Sequence, residues 1–153
     1  RRRHRERRAR RGAAVIRPAT PADRPALVHL QSRLPEPSPG LLDAALDDAA
    51  PTPATALVSS DEDGTPVGYL LAVPGDGTVY VAELVVDPDH RREGQARALL
   101  AACAERADGA ALTVTVSPDN EAARSLYRDC GFEKRDRLPD FFDDGAALRY
   151  RRG

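Results

Sequence analysis

The sequence predicts an α/β fold of the α+β kind, a mixed, largely antiparallel central sheet of six to seven strands flanked by about four helices. Three observations carry that reading. Apolar runs rich in β-branched residues recur through the middle of the chain, and three of them, residues 54–60, 67–73 and 79–87, are joined by short turns rich in Gly and Asp, the pattern of an antiparallel meander. The third run passes through a loop directly into residues 94–106, where Ala98, Leu99, Ala102 and Cys103 recur at helical spacing. A strand at 110–116 and a helix at about 120–129 repeat that order, so the strand at 110–116 should lie parallel to the one at 79–87.

Taken in chain order, residues 1–12 (RRRHRERRARRG) have no apolar periodicity and are expected to be disordered on their own, leaving 13–153 as one domain. Residues 13–17 form a first short strand. Thr20 reads as a helix N-cap, with Pro21 at the first helical position and Asp23 in the first turn. Leu27, Leu30 and Leu34 then turn one face inward, with His29 beside it at the surface. PEPSPG at 35–40 breaks that helix, and a short helical stretch through Leu41, Leu42 and Leu46 ends before Pro51. Asp61-Glu62-Asp63-Gly64 and Gly75-Asp76-Gly77 are hairpin turns. The first lacks the ligand spacing of a calcium loop, so no metal is expected there. Asp119 or Asn120 caps the helix at 120–129, and Gly131 ends it. Residues 132–137 and 146–151 make a final strand pair around a loop at 138–145, and its edges would suit a homodimer as well as a monomer. There are no internal repeats.

The length of 153 residues suits one domain with a real core. No apolar run reaches membrane-spanning length, and none follows the basic start as a signal peptide requires. Cys103 and Cys130, the only cysteines, make neither a disulfide framework nor a metal site and favour a reducing, cytoplasmic setting. Both are expected to pack, Cys103 on the buried face of its helix. The net charge of −1 conceals an asymmetry: eight of the 23 basic residues but one of the 24 acidic ones lie in residues 1–12, leaving a body of net charge −8. Such a body excludes a general polyanion-binding role for the domain surface. The arm reads as an upstream extension or as a contact for RNA such as the ribosome. Arg supplies every basic side chain of the Lys/Arg class except Lys134, and Asp outnumbers Glu, as genome composition or salt adaptation would produce.

The loop Pro88-Asp89-His90-Arg91-Arg92-Glu93-Gly94-Gln95-Ala96 carries the chemistry. A strand that runs through a tight loop into a helix leaves backbone N–H groups open at the helix start, and these, with the positive end of the dipole, suit a phosphate. Gly94 and Ala96 admit a ligand close to the backbone, and Arg91 and Arg92 add charge. The loop has neither the Gly-Lys-Ser/Thr of a P-loop nor the three glycines of the dinucleotide fingerprint. It resembles instead the acyl-CoA loop of the GNAT acetyltransferases, Arg/Gln-x-x-Gly-x-Gly/Ala, here Arg91-x-x-Gly94-x-Ala96 after Val86-Asp87-Pro88. Asn120-x-x-Ala123-x-x-x-Tyr127-x-x-x-Gly131-Phe132 resembles the second signature of that family, with one strand between the two blocks. Together they span residues 79–133.

The resemblance implies a GNAT fold and transfer of an acetyl group from acetyl-CoA, as cosubstrate and without a metal, to a primary amine by direct attack. It places the pyrophosphate on N–H groups of Arg91, Arg92, Glu93, Gly94, Gln95 and Ala96, with Arg92 and Arg97 near CoA phosphates and Asn120 against the pantetheine arm. Backbone groups of Leu84, Val85 and Val86 would serve the pantetheine and the oxyanion where strands splay apart. Tyr127 stands where the family places a tyrosine near the CoA sulfur, and would protonate the leaving thiolate as general acid. Glu83 stands on the strand where several members carry a catalytic glutamate acting through water. In an alternating strand it faces opposite Leu84, and an exposed sheet face would account for it equally well.

For the acceptor, LPDFFDDGAAL at 138–148 resembles the Tyr-Tyr-x-x-Gly-x-Asp-Ala segment of protein N-terminal acetyltransferases, the ribosomal-protein alanine enzymes among them. It departs from them at Phe141 and Phe142, where they carry tyrosines, at Ala146, where an Asp is usual, and at Thr115, where the ribosomal enzyme has a glutamate. A protein N-terminal α-amine therefore leads as acceptor, followed by a small-molecule amine such as an amino acid, polyamine or aminoglycoside. The acidic body would attract cationic amines of either kind. An acyl-CoA-binding sensor is the non-catalytic alternative, and Tyr127 with the complete loop favours the enzyme. Removing residues 1–12 should leave acetyl-CoA binding intact; an RNA-binding module would instead lose its salt-dependent binding.

Overall fold

Alternation of apolar and polar residues draws seven strands into one sheet in the computed structural model, which describes residues 15–35, 37–47, 54–91, 93–142 and 145–153. β1 (Val15–Pro18) leads through a 3₁₀ turn at Pro21–Asp23 to α1 (Arg24–Gln31) and α2 (Pro39–Leu46). The meander is β2 (Thr55–Ser60), β3 (Pro66–Pro74) and β4 (Thr78–Val86). After a 3₁₀ turn at Pro88–His90 come α3 (Gln95–Arg106), β5 (Ala111–Val116), α4 (Glu121–Asp129), β6 (Glu133–Phe142) and β7 (Gly145–Arg152). The strand order is β1-β2-β3-β4-β5-β7-β6. β4 and β5 are parallel, as a crossover through α3 requires, and the other neighbours are antiparallel.

Each face of the sheet carries its own core. Leu57, Leu70, Val81, Leu112, Val114, Leu148 and Tyr150 pack with α3 and α4 through Leu99, Leu100, Cys103 and Tyr127. Ala56, Val58, Tyr69, Leu71 and Val85 pack with α1 and α2 through Leu27, Leu30, Leu42 and Leu46. The switch of face between Leu57 and Val58, or Leu70 and Leu71, is the period of two of a strand buried on both sides. His29 is exposed and Cys103 is buried, as the helical patterns indicate.

The chain departs from the sequence expectation at two ends. Residues 21–23 form a 3₁₀ turn rather than the first turn of α1. An α-helix starting at Pro21 needs an N–H at position 25 to reach the Pro21 carbonyl, and Pro25 has none, so Arg24 donates to Pro21 instead and α1 begins there. The loop expected at 138–145 is mostly strand. β6 continues to Phe142 with its register broken between Leu138 and Phe142, where Pro139 lacks a donor and Asp140 takes φ 56°. β6 is a sheet edge, where such an interruption is tolerated.

Two irregularities in β4 matter for the site. Leu71 pairs with Glu83 but Ala72 with Val81, so Ala82 is an extra residue, a β-bulge. It resets the alternation: Val81 faces α3 and α4, whereas Glu83 and Val85 face α1 and α2. Pairing with β5 ends at Val81 opposite Val114, although β4 runs on to Val86 and β5 to Val116.

Candidate active site

Beyond Val81 and Val114 the two strands part, and the edge of β4 that faces β5 is left with backbone groups at residues 84–86 that β5 does not pair. The opposite edge stays bonded to β3, with Leu70 opposite Leu84, Tyr69 opposite Val85 and Gly68 opposite Val86. Gly68 permits that approach: a Cβ there would lie 2.9 Å from the Val85 carbonyl oxygen. The Leu84 and Val85 side chains pack into the two cores, so only their main chain is available to a ligand.

α3 starts at the open end of β4. Gly94 caps it in the left-handed region, φ 79°, and contributes no side-chain bond; the first intrahelical bond runs from the Ala98 N–H to the Gly94 carbonyl at 3.0 Å. The N–H groups of Gln95, Ala96 and Arg97 precede it and have no intrahelical acceptor. Val86, Arg91, Gly94, Gln95, Ala96 and Arg97 line a hollow of about 140 Å³ that His90 and Leu126 complete. The Gln95 side chain turns away, buried, and accepts a hydrogen bond from the Ser59 hydroxyl of β2, which ties the helix start to the sheet. Glu93 meets His90 Nδ1 at 3.3 Å, and Arg97 forms a solvent-exposed pair with Asp129 at 3.2 Å. Arg92 lies outside the described residues. An uncapped, uncrowded helix start beside arginines fits a pyrophosphate.

α4 brings the second motif to the same place. Asn120 caps it, its Oδ1 accepting the Ala123 N–H at 3.1 Å, which leaves the amide nitrogen for a ligand. Gly131, at φ 89°, reverses the chain, so the Phe132 N–H returns to the Tyr127 carbonyl at 2.9 Å and the Phe132 ring meets the edge of the Tyr127 ring at 5.5 Å. The Gly-Phe pair therefore holds the tyrosine. Tyr127 is 7% exposed; its hydroxyl has no hydrogen-bond partner among the described residues, and, as no buried side-chain oxygen there is left unsatisfied, the hydroxyl itself reaches the surface. Burial, then the nearby Tyr80 and Cys130, push its phenol well above the ordinary value, so it stays protonated at neutral pH. Its neighbour Leu126 lines the loop hollow. Cys130 is half-buried, and burial raises its thiol too, which suits packing rather than nucleophilic chemistry.

Glu83 is 4% exposed, so the exposed sheet face expected as one account of it does not hold. Its Oε1 accepts from the Tyr69 hydroxyl at 2.8 Å and from Gln31 Nε2 at 3.0 Å; its Oε2 accepts from the Ser38 N–H at 2.7 Å and from the same Nε2 at 3.3 Å. Burial and the Glu83 charge push the Tyr69 phenol up. The carboxylate thus joins β4 to β3, to α1 and to the segment between α1 and α2.

Sequence reasoning missed a second, larger concavity. On the α1/α2 side of the sheet, past the end of those helices, Thr78 and Tyr80 of β4, Thr113 and Thr115 of β5, and residues of β6 and β7 line a cavity of about 870 Å³. Phe141 and Thr115, singled out by the acceptor comparison, both line it. The signal was present as alternate polar positions on β5 and β7, but it indicates an uncovered face and not a hollow.

The sequence profile described as the acetyltransferase (GNAT) family matches residues 24–132, and the chain belongs to that family, whose members use acetyl-CoA as acyl donor. A mycothiol acetyltransferase from Clavibacter michiganensis subsp. michiganensis is 41% identical over 78 residues, covering 51% of this chain and 25% of its own length. The chain thus spans about a quarter of the length of this curated relative. Two solved structures share the fold: the ribosomal-protein-S18-alanine N-acetyltransferase of Escherichia coli, with TM-score 0.77 at 21% identity over 92% of this chain and 93% of the other, and Ard1 of Thermoplasma volcanium, with TM-score 0.78 at 23% identity over 92% and 97%. Among the described residues no helix is long and apolar enough to cross a membrane.

Proposed function

We propose that this chain moves the acetyl group of acetyl-CoA onto the primary amine of a small molecule, with Tyr127 as general acid. The observations that carry the proposal are three: the start of α3 with no side-chain cap, the parting of β4 from β5, and the largely buried, protonated Tyr127 side chain. Acetyl-CoA supplies the activated acyl group. The N–H groups at Gly94, Gln95 and Ala96, with Arg91 and Arg97, hold its phosphates. Main-chain groups at 84–86 hold the arm and the developing oxyanion, and Asn120 meets the arm through its amide nitrogen. Tyr127 gives its proton to the leaving sulfur.

Glu83 stands in this reading as an anchor. A carboxylate offers about four acceptor positions, and three donors, Tyr69, Gln31 and the Ser38 N–H, converge on the buried Glu83, so in this reading the amine loses its proton to water and Glu83 holds the wall beside it. A protein N-terminal amine led on sequence grounds. Two observations put a small amine first: the mycothiol acetyltransferase relatives, and a substrate-side cavity in which Phe141 replaces the tyrosine that would hold a peptide backbone.

The test is CoA-thiol release on mixing the protein and acetyl-CoA with small amines and with N-terminal peptides. Turnover with small amines that drops by about 10²-fold in Tyr127→Phe, while acetyl-CoA affinity stays the same, is the expected result. An unchanged rate in that variant would remove Tyr127 from the mechanism. Preference for peptides would restore the protein N-terminus, and acetyl-CoA binding without release to any acceptor would make the domain a sensor.

A further inference from the structure

We infer that the acceptor carries an anionic group besides its amine, held by Arg135 of β6 and by Arg149 and Arg151 of β7. This rests on the transfer reading above and names its substrate class. All three arginines line the cavity of about 870 Å³, and among the described residues Asp136 is the one acidic side chain in its lining, 3.3 Å from Arg149. The charged side chains that line it among the described residues therefore sum to +2, within a body whose net charge is −8. A cationic hollow in an acidic domain is opposite to what overall composition would place there, and it reverses the expected attraction for polyamines.

The arginines are held loosely enough to take a ligand. Arg135 meets Glu133 at 3.5 Å and Arg149 meets Asp136 through side chains that are all at least 43% exposed, pairs of little net strength. Arg151 donates through Nε to the Gly153 carbonyl at 3.2 Å, which orients the group and leaves its terminal nitrogens. Positions 149 and 151 alternate along β7, so both heads leave the same face of the sheet. A guanidinium fork matches a carboxylate or phosphate in two parallel hydrogen bonds.

The cavity also reaches the reacting end. The Tyr80 hydroxyl meets Thr115 Oγ1 at 2.9 Å, and Thr115 is the first β5 residue beyond the last pair, Val81 with Val114. An amine at the strand gap can thus belong to a molecule whose anion lies on β7.

The experiment compares matched amines with the full chain: an amino acid against its carboxamide, and phosphoethanolamine against ethanolamine. The expected result is at least about tenfold higher kcat/KM for the anionic member of one pair, arising in KM, with the ratio falling towards one in Arg149→Gln and Arg151→Gln and partly kept in Arg149→Lys. Which pair shows the preference separates carboxylate from phosphate. Equal kcat/KM within both pairs, or an undiminished ratio in both Gln variants, would overturn the inference. If no amine turns over, the transfer reading fails, and calorimetric titration of the same amines with CoA present decides this one: binding of an anionic member that is lost in Arg149→Gln supports it, and no difference within the pairs overturns it.

Discussion

Glu83 shows how far a single side chain can be read from its surroundings. A charged residue inside an apolar strand invites a catalytic role, yet its oxygens accept from Tyr69, Gln31 and the Ser38 main chain and are withdrawn from solvent. Glu83→Gln puts an amide donor where at least one donor already points, which leaves a buried group unpaired at a cost of about 1–3 kcal/mol. The expected outcome is a lower urea midpoint and a reduced rate, with the rising limb of the kcat/KM pH profile keeping its midpoint. Disappearance of that limb would make Glu83 the base after all. Tyr127 differs in kind. Its hydroxyl has no partner among the described residues, and burial raises its phenol, so the acid role proposed for it should persist far into the alkaline range.

At the scale of elements, the site depends on the places where regular pairing fails. The bulge at Ala82 turns Glu83 and Val85 towards α1 and α2, and the end of pairing at Val81 opens the gap between β4 and β5 on which the proposed transfer relies. Gly68 supports both from the far edge of β4. Gly68→Ala brings a methyl to 2.9 Å from the Val85 carbonyl, and main chain cannot yield as a flexible side chain does. Strain of this kind typically costs about 1–3 kcal/mol. A lower melting temperature together with weaker acetyl-CoA binding is expected, measured by thermal unfolding and calorimetry. Lost stability with unaltered affinity would show that Val85 has no part in holding the cosubstrate. The same principle explains why the motif on α4 needs Gly131 and Phe132: the glycine turns the chain back, and the ring it delivers packs against Tyr127.

For the molecule as a whole, charge bears on stability and, in the proposed reading, on ligand choice. Arg17 of β1 makes two hydrogen bonds to Asp23, at 2.7 and 2.9 Å, and so pins the start of α1 to the sheet edge. That pairing lowers the Asp23 carboxyl from 3.8 to about 2. A group whose folded value is depressed contributes stability that is fully present above the unfolded value and is lost as pH falls through the folded one. Urea midpoints should therefore decline between about pH 4 and pH 2, and Asp23→Asn should be less stable at neutral pH and flatter across that window. Parallel declines in both proteins would assign the acid sensitivity to other carboxylates. The sequence by itself determined the order of elements, the glycine loop that opens α3 and the helix that carries Tyr127, because each is written in local spacing: periods of two and 3.6, a cap, a glycine. It placed Arg135, Arg149 and Arg151 on a final strand pair but not around a hollow, and left Glu83 with two opposed accounts. Only the tertiary structure decided that Glu83 is buried and that the arginines share one hollow, because a strand's alternation says which residues share a face but not whether a helix, a bulge or open solvent covers it. Insertion of β7 between β5 and β6 is what gathers the arginines over one hollow, and that neighbourhood is set by contacts distant in the chain.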